Sequence, residues 1–202
     1  IWHADEPLAD PTAIPIFLLS QYAKKYCTVI LTGEGADELF VGYPQYQFMK
    51  IHATFLNILP SFSKEALNQI ILKTPSAFLD KKFKFASSLG VKGRERFSKY
   101  IHAKTPEEQY LQMVAIFNEE EQIQLLNRPV NLYAQYKKYF KKTDRKNIVP
   151  QCQFLDLKEP LVEDLLMKVD KTAMAFGIEG RVPFLDYRVV ELAARIPAEY
   201  NL

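Results

Sequence analysis

Apolar positions along this chain follow a helical spacing almost throughout, and the exception is residues 28–31. There Thr28, Val29, Ile30 and Leu31 form a short, mostly β-branched run, suited to the interior of a parallel sheet whose faces are both covered. The run gives way at once to Thr32-Gly33-Glu34-Gly35-Ala36-Asp37-Glu38-Leu39-Phe40. Gly33 and Gly35 permit positive φ and close approach of the backbone to a ligand, and Ala36 onward can restart as helix. The pattern predicts a buried strand, a tight loop and a helix N-terminus. In open α/β sheets such a loop lies at the carboxyl ends of the strands, where ligands bind, and its free N–H groups suit an anion such as phosphate.

Helical patterns bracket this motif. Asp5-Glu6-Pro7 and Asp10-Pro11 are extended, because a residue before proline is pushed out of the α region. Thr12 then serves as an N-cap, with Pro15 at N3, where its missing N–H costs nothing. Ile14, Phe17, Leu18, Tyr22 and Ala23 make a wide apolar face on the helix that follows. A helix directly before a buried parallel strand is one unit of a doubly wound sheet. From Pro44 to Pro150 no stretch has the character of a sustained strand, and helix starts recur. Thr105-Pro106-Glu107-Glu108 and Asn118-Glu119-Glu120-Glu121 both have the capping-box form. Tyr110, Met113, Val114 and Phe117 fall on one face, as do Ile123 and Leu126 of the next helix. Pro160 opens a further helix through Val162, Leu165, Leu166 and Val169 towards Ala175, and Gly177 is placed to end it. Asp186 is an N-cap for a last helix carrying Val189, Val190, Leu192, Ala193 and Ile196, stopped by Pro197. The expected organisation is a loop-bearing βα portion over 1–50, a helical subdomain over 51–150 and the closing helices over 151–202.

Composition adds exclusions. With 202 residues, 48% of them hydrophobic, the chain can bury one sizeable core or most of one, and 26 basic against 24 acidic residues give no reason to expect a nucleic-acid or membrane partner. Lys137, Lys138, Lys141, Lys142, Arg145 and Lys146 do cluster, but Tyr133, Tyr136, Tyr139 and Phe140 among them fit the buried face of a helix whose other face is solvated. Cys27 and Cys152 are too few for a disulfide framework and form no zinc motif, so a reducing, cytoplasmic setting is expected. No stretch reaches the ~18 apolar residues of a membrane span. His52 and His102 stand alone and are expected to be structural or exposed. The chain starts without methionine, at Ile1-Trp2-His3, which suggests an excised fragment.

Glu34 and Asp37 make an unusual phosphate loop, since two carboxylates repel a bare phosphate. The chemistry implied is a phosphate brought in with Mg²⁺, which is bound through one or two carboxylates plus phosphate oxygens. At Asp164, Lys168 and Lys171, which share a helical face, spacing alone favours a solvated charged stripe.

Thr32-Gly33-Glu34-Gly35-Ala36-Asp37-Glu38, followed by Gly42-Tyr43, resembles a signature segment of the asparagine synthetase (glutamine-hydrolysing) family. Val169-Asp170-Lys171-Thr172-Ala173-Met174-Ala175, with Gly177-Ile178-Glu179-Gly180-Arg181-Val182-Pro183-Phe184-Leu185-Asp186, is similar to that family's second signature, in the expected order. The resemblance implies an α/β fold, part of a doubly wound parallel sheet of the adenine-nucleotide alpha hydrolase (PP-loop ATPase) type, with a large mostly helical portion. It also implies the activity: ATP converts aspartate to β-aspartyl-AMP, and ammonia derived from glutamine then displaces AMP. On this resemblance Lys171 is the active-site cation and Asp37 the Mg²⁺ ligand. Thr32 and Gly33, with Gly35, would meet the nucleotide, Glu34 would orient ammonia and accept its proton, and Asp5-Glu6-Pro7 would lie near the site. The family's glutaminase domain and its Ser-Gly-Gly-x-Asp-Ser pyrophosphate loop do not occur in these residues, so the chain alone is expected to be inactive, within a parent that could be a homodimer. Two alternatives stay open: an amidotransferase for another carboxylate, such as a surface sugar or peptide, and a binding module on the same scaffold. A β-lactam-forming relative fits less well, because such cyclases carry tyrosine at the position of Glu34.

Overall fold

The computed structural model describes residues 2–74, 93–128, 131–143, 147–197 and 200, which are mostly helical with one small parallel sheet. The chain divides into two compact units, Ile1–Gly42 with Gln153–Leu202, and Tyr43–Cys152.

The first unit carries the sheet. Helix α1 (Ala13–Ala23) leads into β1 (Val29–Leu31), and a five-residue helix, α2 (Ala36–Phe40), follows the glycine loop. Strand β2 (Glu179–Arg181) lies parallel to β1, with Val29 opposite Glu179, Ile30 opposite Gly180 and Leu31 opposite Arg181. The expected strand, loop and helix are therefore in place, but the strand is not buried. Val29 and Leu31 share one face, as residues two apart must, and are 38% and 72% exposed. Ile30 and Gly180 occupy the other face, where Val169 closes over Gly180 so tightly that an added Cβ would lie 3.1 Å from its Cγ1. A parallel strand becomes a core strand only when both faces are covered, and here one is.

The apolar face expected on α1 is corrected in the same way. Ile14, Leu18 and Tyr22 are exposed, while Ser20 is buried and Ile16, Phe17 and Ala23 are half-buried against helix α10. Apolar side chains surround this helix on nearly all sides, so periodicity cannot choose among them. Phe17 meets Phe176 edge-on at 4.6 Å.

Gln153 to Lys158 form the later part of a helix over Ile148–Lys158, here α9. Gln153 Nε2 donates to the carbonyls of Glu38 and Leu39 at 3.0 and 2.8 Å and so satisfies two acceptors at the end of the short α2. A π-helical stretch (Leu161–Leu166) runs directly into α10 (Met167–Met174). Gly177, at φ +62°, ends this segment as expected, its N–H bonded to Met174 and that of Ile178 to Ala173. A 3₁₀ turn (Pro183–Leu185) precedes α11 (Tyr187–Arg195), whose N-cap Asp186 accepts from the Arg188 N–H at 2.9 Å.

The second unit is helical: α3 (Pro44–Ile51), a π-helical turn (His52–Leu56), α4 (Ser61–Lys73), α5 (Gly93–His102), α6 (Pro106–Val114), α7 (Glu119–Leu126) and α8 (Leu132–Phe140). Its core is aromatic. Tyr46, Met49, His52, Tyr100, Ile101 and Tyr110 are fully buried, the Tyr100 hydroxyl donates to the Phe48 carbonyl, and Tyr110 packs on Tyr136 and Phe140. Both predicted caps form: Thr105 accepts from Glu108 N at 3.3 Å, and Asn118 and Glu121 make a reciprocal box at 3.0 and 2.9 Å. Phe117, Ile123 and Leu126, expected on buried faces, are exposed. Lys137, Lys138, Lys141 and Lys142 are exposed with Phe140 buried behind them, and Arg145 and Lys146 fall outside the described residues. Among the described residues no helix is long and apolar enough to cross a membrane.

Candidate active site

The loop Thr32–Asp37 leaves the carboxyl end of β1, where Thr32 N–H still donates to the Arg181 carbonyl at 2.9 Å. Gly33 has open space around it, with no atom within 4 Å of where a Cβ would sit. The hydroxyl of Thr32 is buried without a hydrogen-bond partner, which is costly unless a ligand or water supplies one. These two residues therefore offer a polar atom and room beside it. Gly35 is different: at φ +91°, with a Cβ position 2.3 Å from Leu185 Cδ2, its glycine is demanded by the fold whatever it binds.

Asp37 lies in the first turn of α2, exposed. The turn ends at Val41, a β-branched residue held at φ +59°, and Gly42 then packs against Asp37 so closely that a Cβ would lie 1.9 Å from Oδ1. Only glycine at position 42 leaves room for the Asp37 carboxylate. Among the described residues no group of three or more His, Cys, Asp or Glu is arranged for a metal ion. Asp37 suits the alternative mode, one carboxylate with the remaining ligands from phosphate and water.

Glu34 is half-buried, and its carboxyl is pushed above its ordinary range. Burial is the main cause, the charges of Glu38, Asp10 and Asp37 add to it, and Lys168 opposes them. That places Lys168 in the electrostatic surroundings of Glu34, against the expectation of a solvated stripe. Lys168 is 4% exposed, and its ammonium donates to Asp10 Oδ2 at 2.5 Å. Asp10 Oδ1 accepts from both Thr12 N–H and Thr12 Oγ1, at 2.8 and 2.7 Å. Burial works against the Asp10 anion, yet the bonds from Lys168 and Thr12 outweigh it and hold the carboxyl below its ordinary value. Asp164, on the π-helical stretch, is raised by burial and by Asp10.

Lys171 takes a separate position. Its ammonium donates to Asp5 Oδ2 at 3.0 Å in an exposed pair, and this bond, with the charges of Asp5, Asp170 and Glu6, raises its pKa. The segment Asp5-Glu6-Pro7 thus meets Lys171, as the Asp10-Pro11 turn meets Lys168. Asp5 adopts φ +61°, a left-handed value that aspartate tolerates better than most non-glycine residues. Lys168 is thus buried on Asp10, and Lys171, one turn on, is held by Asp5 in an exposed pair. Spacing assigned Lys168 to a solvated stripe, Asp10 entered only as a turn residue and Gly42 only within the signature segment, whereas the structure buries Lys168 against Asp10. The signal that would have found the first two was charge: the loop places three carboxylates within five residues with no cation among them.

The family model for asparagine synthase matches residues 1–202. Asparagine synthetase [glutamine-hydrolyzing] 1 of Bacillus subtilis is 35% identical over 203 residues, covering 98% of this chain and 29% of its own length. A Mycobacterium bovis protein named provisionally for the same activity is 33% identical over 199 residues, covering 98% of this chain and 28% of its own. A shorter match, 48% identical over 54 residues, links 23% of this chain to 10% of a similarly named protein of Methanocaldococcus jannaschii. No solved structure matches the chain significantly. The chain spans less than a third of the length of the relatives it matches.

Proposed function

Because this chain belongs to the asparagine synthase family, we propose that it forms the later part of the synthetase site of a glutamine-dependent asparagine synthetase. The reaction is activation of the aspartate side-chain carboxylate by ATP, giving β-aspartyl-AMP and pyrophosphate, followed by displacement of AMP by ammonia. One observation carries the reading: the partnerless, buried Thr32 hydroxyl beside the open side of Gly33, at the carboxyl end of a parallel strand. Those two residues would receive the AMP portion, in the general manner of ligand loops on α/β sheets.

A carboxylate does not react with ammonia unactivated, and the first step builds negative charge on phosphate oxygens. Fixed positive charge and positioning then contribute most of the acceleration. Asp37, for whose carboxylate Gly42 leaves room, would hold Mg²⁺, which supplies charge neutralisation to the phosphates when bound. Lys171 would supply the mobile cation, its exposed pair with Asp5 being one that opens at little cost. Glu34 would orient ammonia and take its proton as the amide forms, a role that needs its carboxyl ionised. The ammonia would come from glutamine at a glutaminase domain outside these residues, which also contain no pyrophosphate loop.

The test is pyrophosphate release from ATP with aspartate and ammonia, using the full-length protein that carries this chain. Thr32→Val should raise KM for ATP, and Lys171→Ala should lower the rate by roughly 10² to 10³. Release unchanged in both variants would overturn the assignment. Release that requires a carboxylic acid other than aspartate would move the protein to a related amidotransferase.

A further inference from the structure

Aspartate carries two carboxylates separated by two carbons. The side-chain one is activated by ATP, and the other needs a cation, which a loop carrying Glu34, Asp37 and Glu38 does not supply. The strand beside the loop does. Arg181 ends β2 opposite Leu31, and its carbonyl accepts the Thr32 N–H at 2.9 Å, so it is the cross-strand neighbour of the point where the ligand loop begins. Strand alternation puts Gly180 on the face that Val169 closes, and Glu179 and Arg181 on the face left exposed. There Arg181 Nε donates to Glu179 Oε1 at 2.8 Å, while the two terminal nitrogens of the guanidinium have no partner among the described residues. We infer that Arg181 is a substrate-binding residue: its free edge takes the α-carboxylate of the acid and so selects aspartate over acids that lack this group.

A guanidinium carries five N–H donors in one rigid plane, and Glu179 uses a single one of them. The edge formed by the terminal nitrogens matches the two oxygens of a carboxylate, and anchoring at Nε removes part of the side-chain freedom that binding would otherwise cost. Beyond Leu31, the cross-strand partner of Arg181, the chain leaves room, since no atom lies within 4 Å of a Cβ position at Gly33. Other cations of this unit are engaged. Lys168 is buried on Asp10, Lys24 donates to the Gly177 carbonyl at 3.0 Å, and Arg188 grips Asp186 through Nε and Nη2 at 2.8 Å each. Lys171 is the cation given to phosphate. An exposed pair such as Glu179–Arg181 contributes little to stability, so replacing Arg181 should leave the fold in place. The inference rests on the proposed function, because it needs an acid activated by ATP at Thr32 and Gly33.

The experiment measures pyrophosphate release by the full-length protein that carries this chain, with ATP and ammonia and with either aspartate or β-alanine, which is aspartate without its α-carboxylate. The unmodified protein should favour aspartate in kcat/KM. Arg181→Ala should shrink that preference by roughly 10- to 100-fold, as expected for loss of a hydrogen-bonded charged partner, mainly by raising KM for aspartate. KM for ATP and the rate with β-alanine should stay as they were. Arg181→Lys keeps the charge without the planar edge and should recover only part of the preference. A merely structural arginine would lower the rates with both acids alike. An aspartate KM and a preference unchanged in Arg181→Ala, or a rise in KM confined to ATP, overturn the inference and leave the proposed function standing. Absence of any aspartate-dependent release by the unmodified protein overturns both. Should Arg181→Ala fail to fold, Arg181→Lys decides, and a full preference for aspartate in that variant would refute recognition by the guanidinium edge.

Discussion

Replacing Gly35 by alanine separates what the loop owes to the fold from what it owes to a ligand. Gly35 sits at φ +91°, and an added Cβ would lie 2.3 Å from Leu185 Cδ2 and 2.8 Å from Cγ. Two costs follow. Holding an L-residue in the left-handed region costs ~1 to 2 kcal/mol. Forcing a methyl against a packed side chain costs ~1 to 3 kcal/mol, towards the lower end here because the contact is the swinging end of a leucine. Gly35→Ala should therefore destabilise the protein by about 2 to 4 kcal/mol, read as a fall in the denaturant midpoint with unchanged slope. Gly33→Ala is the control, since nothing lies within 4 Å of its Cβ position. A double-mutant cycle assigns the parts: in a Leu185→Ala background the steric cost disappears and only the backbone cost, ~1 to 2 kcal/mol, should remain. Equal losses for Gly33→Ala and Gly35→Ala, or a cycle showing no coupling between positions 35 and 185, would refute the reasoning.

Two further outcomes are expected in the helical unit. Asn118→Ala removes one half of the reciprocal box with Glu121 and should cost ~1 kcal/mol, measured by chemical denaturation, whereas a loss under ~0.3 kcal/mol would mean that water replaces the cap. His52, fully buried against Tyr100, has its pKa lowered chiefly by burial, so below the ordinary histidine value of about 6.5 the unfolded chain takes up a proton that the folded one refuses. Stability should fall as pH drops through that value, and His52→Gln should lose that part of the pH dependence in thermal melts; identical pH slopes would contradict it.

Local chemistry was legible in the sequence with one exception, Thr12, which is in the αR region and makes no side-chain cap bond, its hydroxyl donating to Asp10 instead. The caps at Thr105, Asn118 and Asp186, and the stop at Gly177, each involve side chains within a few residues of the backbone groups they satisfy, so a short window contains the whole cause. The position and parallel sense of β1 were legible for a similar reason, since a β-branched run between a helix and a glycine loop has few alternatives. Burial was not. Val29 and Leu31 carry the residue types of a core strand, but exposure is decided by what lies across the sheet, and nothing in the run itself specifies that. Helix α1 shows the same limit from the other side: Ile14 and Leu18 are as apolar as Ile16 and Phe17, so the buried face was fixed by which side allows α10 to approach.

The two lysines of α10 show why the site was only half legible. Lys168 and Lys171 are three residues apart and share a face, which spacing alone assigns to water. That face is in fact covered by the segment around residues 5–12, whose Asp5 and Asp10 divide the lysines between an exposed pair and a buried one. The distinction lies more than 150 residues away in sequence, in separations of 158 for Lys168 to Asp10 and 166 for Lys171 to Asp5. It bears directly on chemistry. A carboxyl that is to take a proton from ammonia must be ionised beforehand, while burial and three neighbouring acids push Glu34 the other way. An exposed lysine, screened by water and free to leave, offsets little of that; a buried lysine offsets it continuously, because low dielectric strengthens its field. Lys168, buried on Asp10, and Lys171, exposed on Asp5, are therefore two different cations on one helical face, and only the second is held by a pair that opens at little cost.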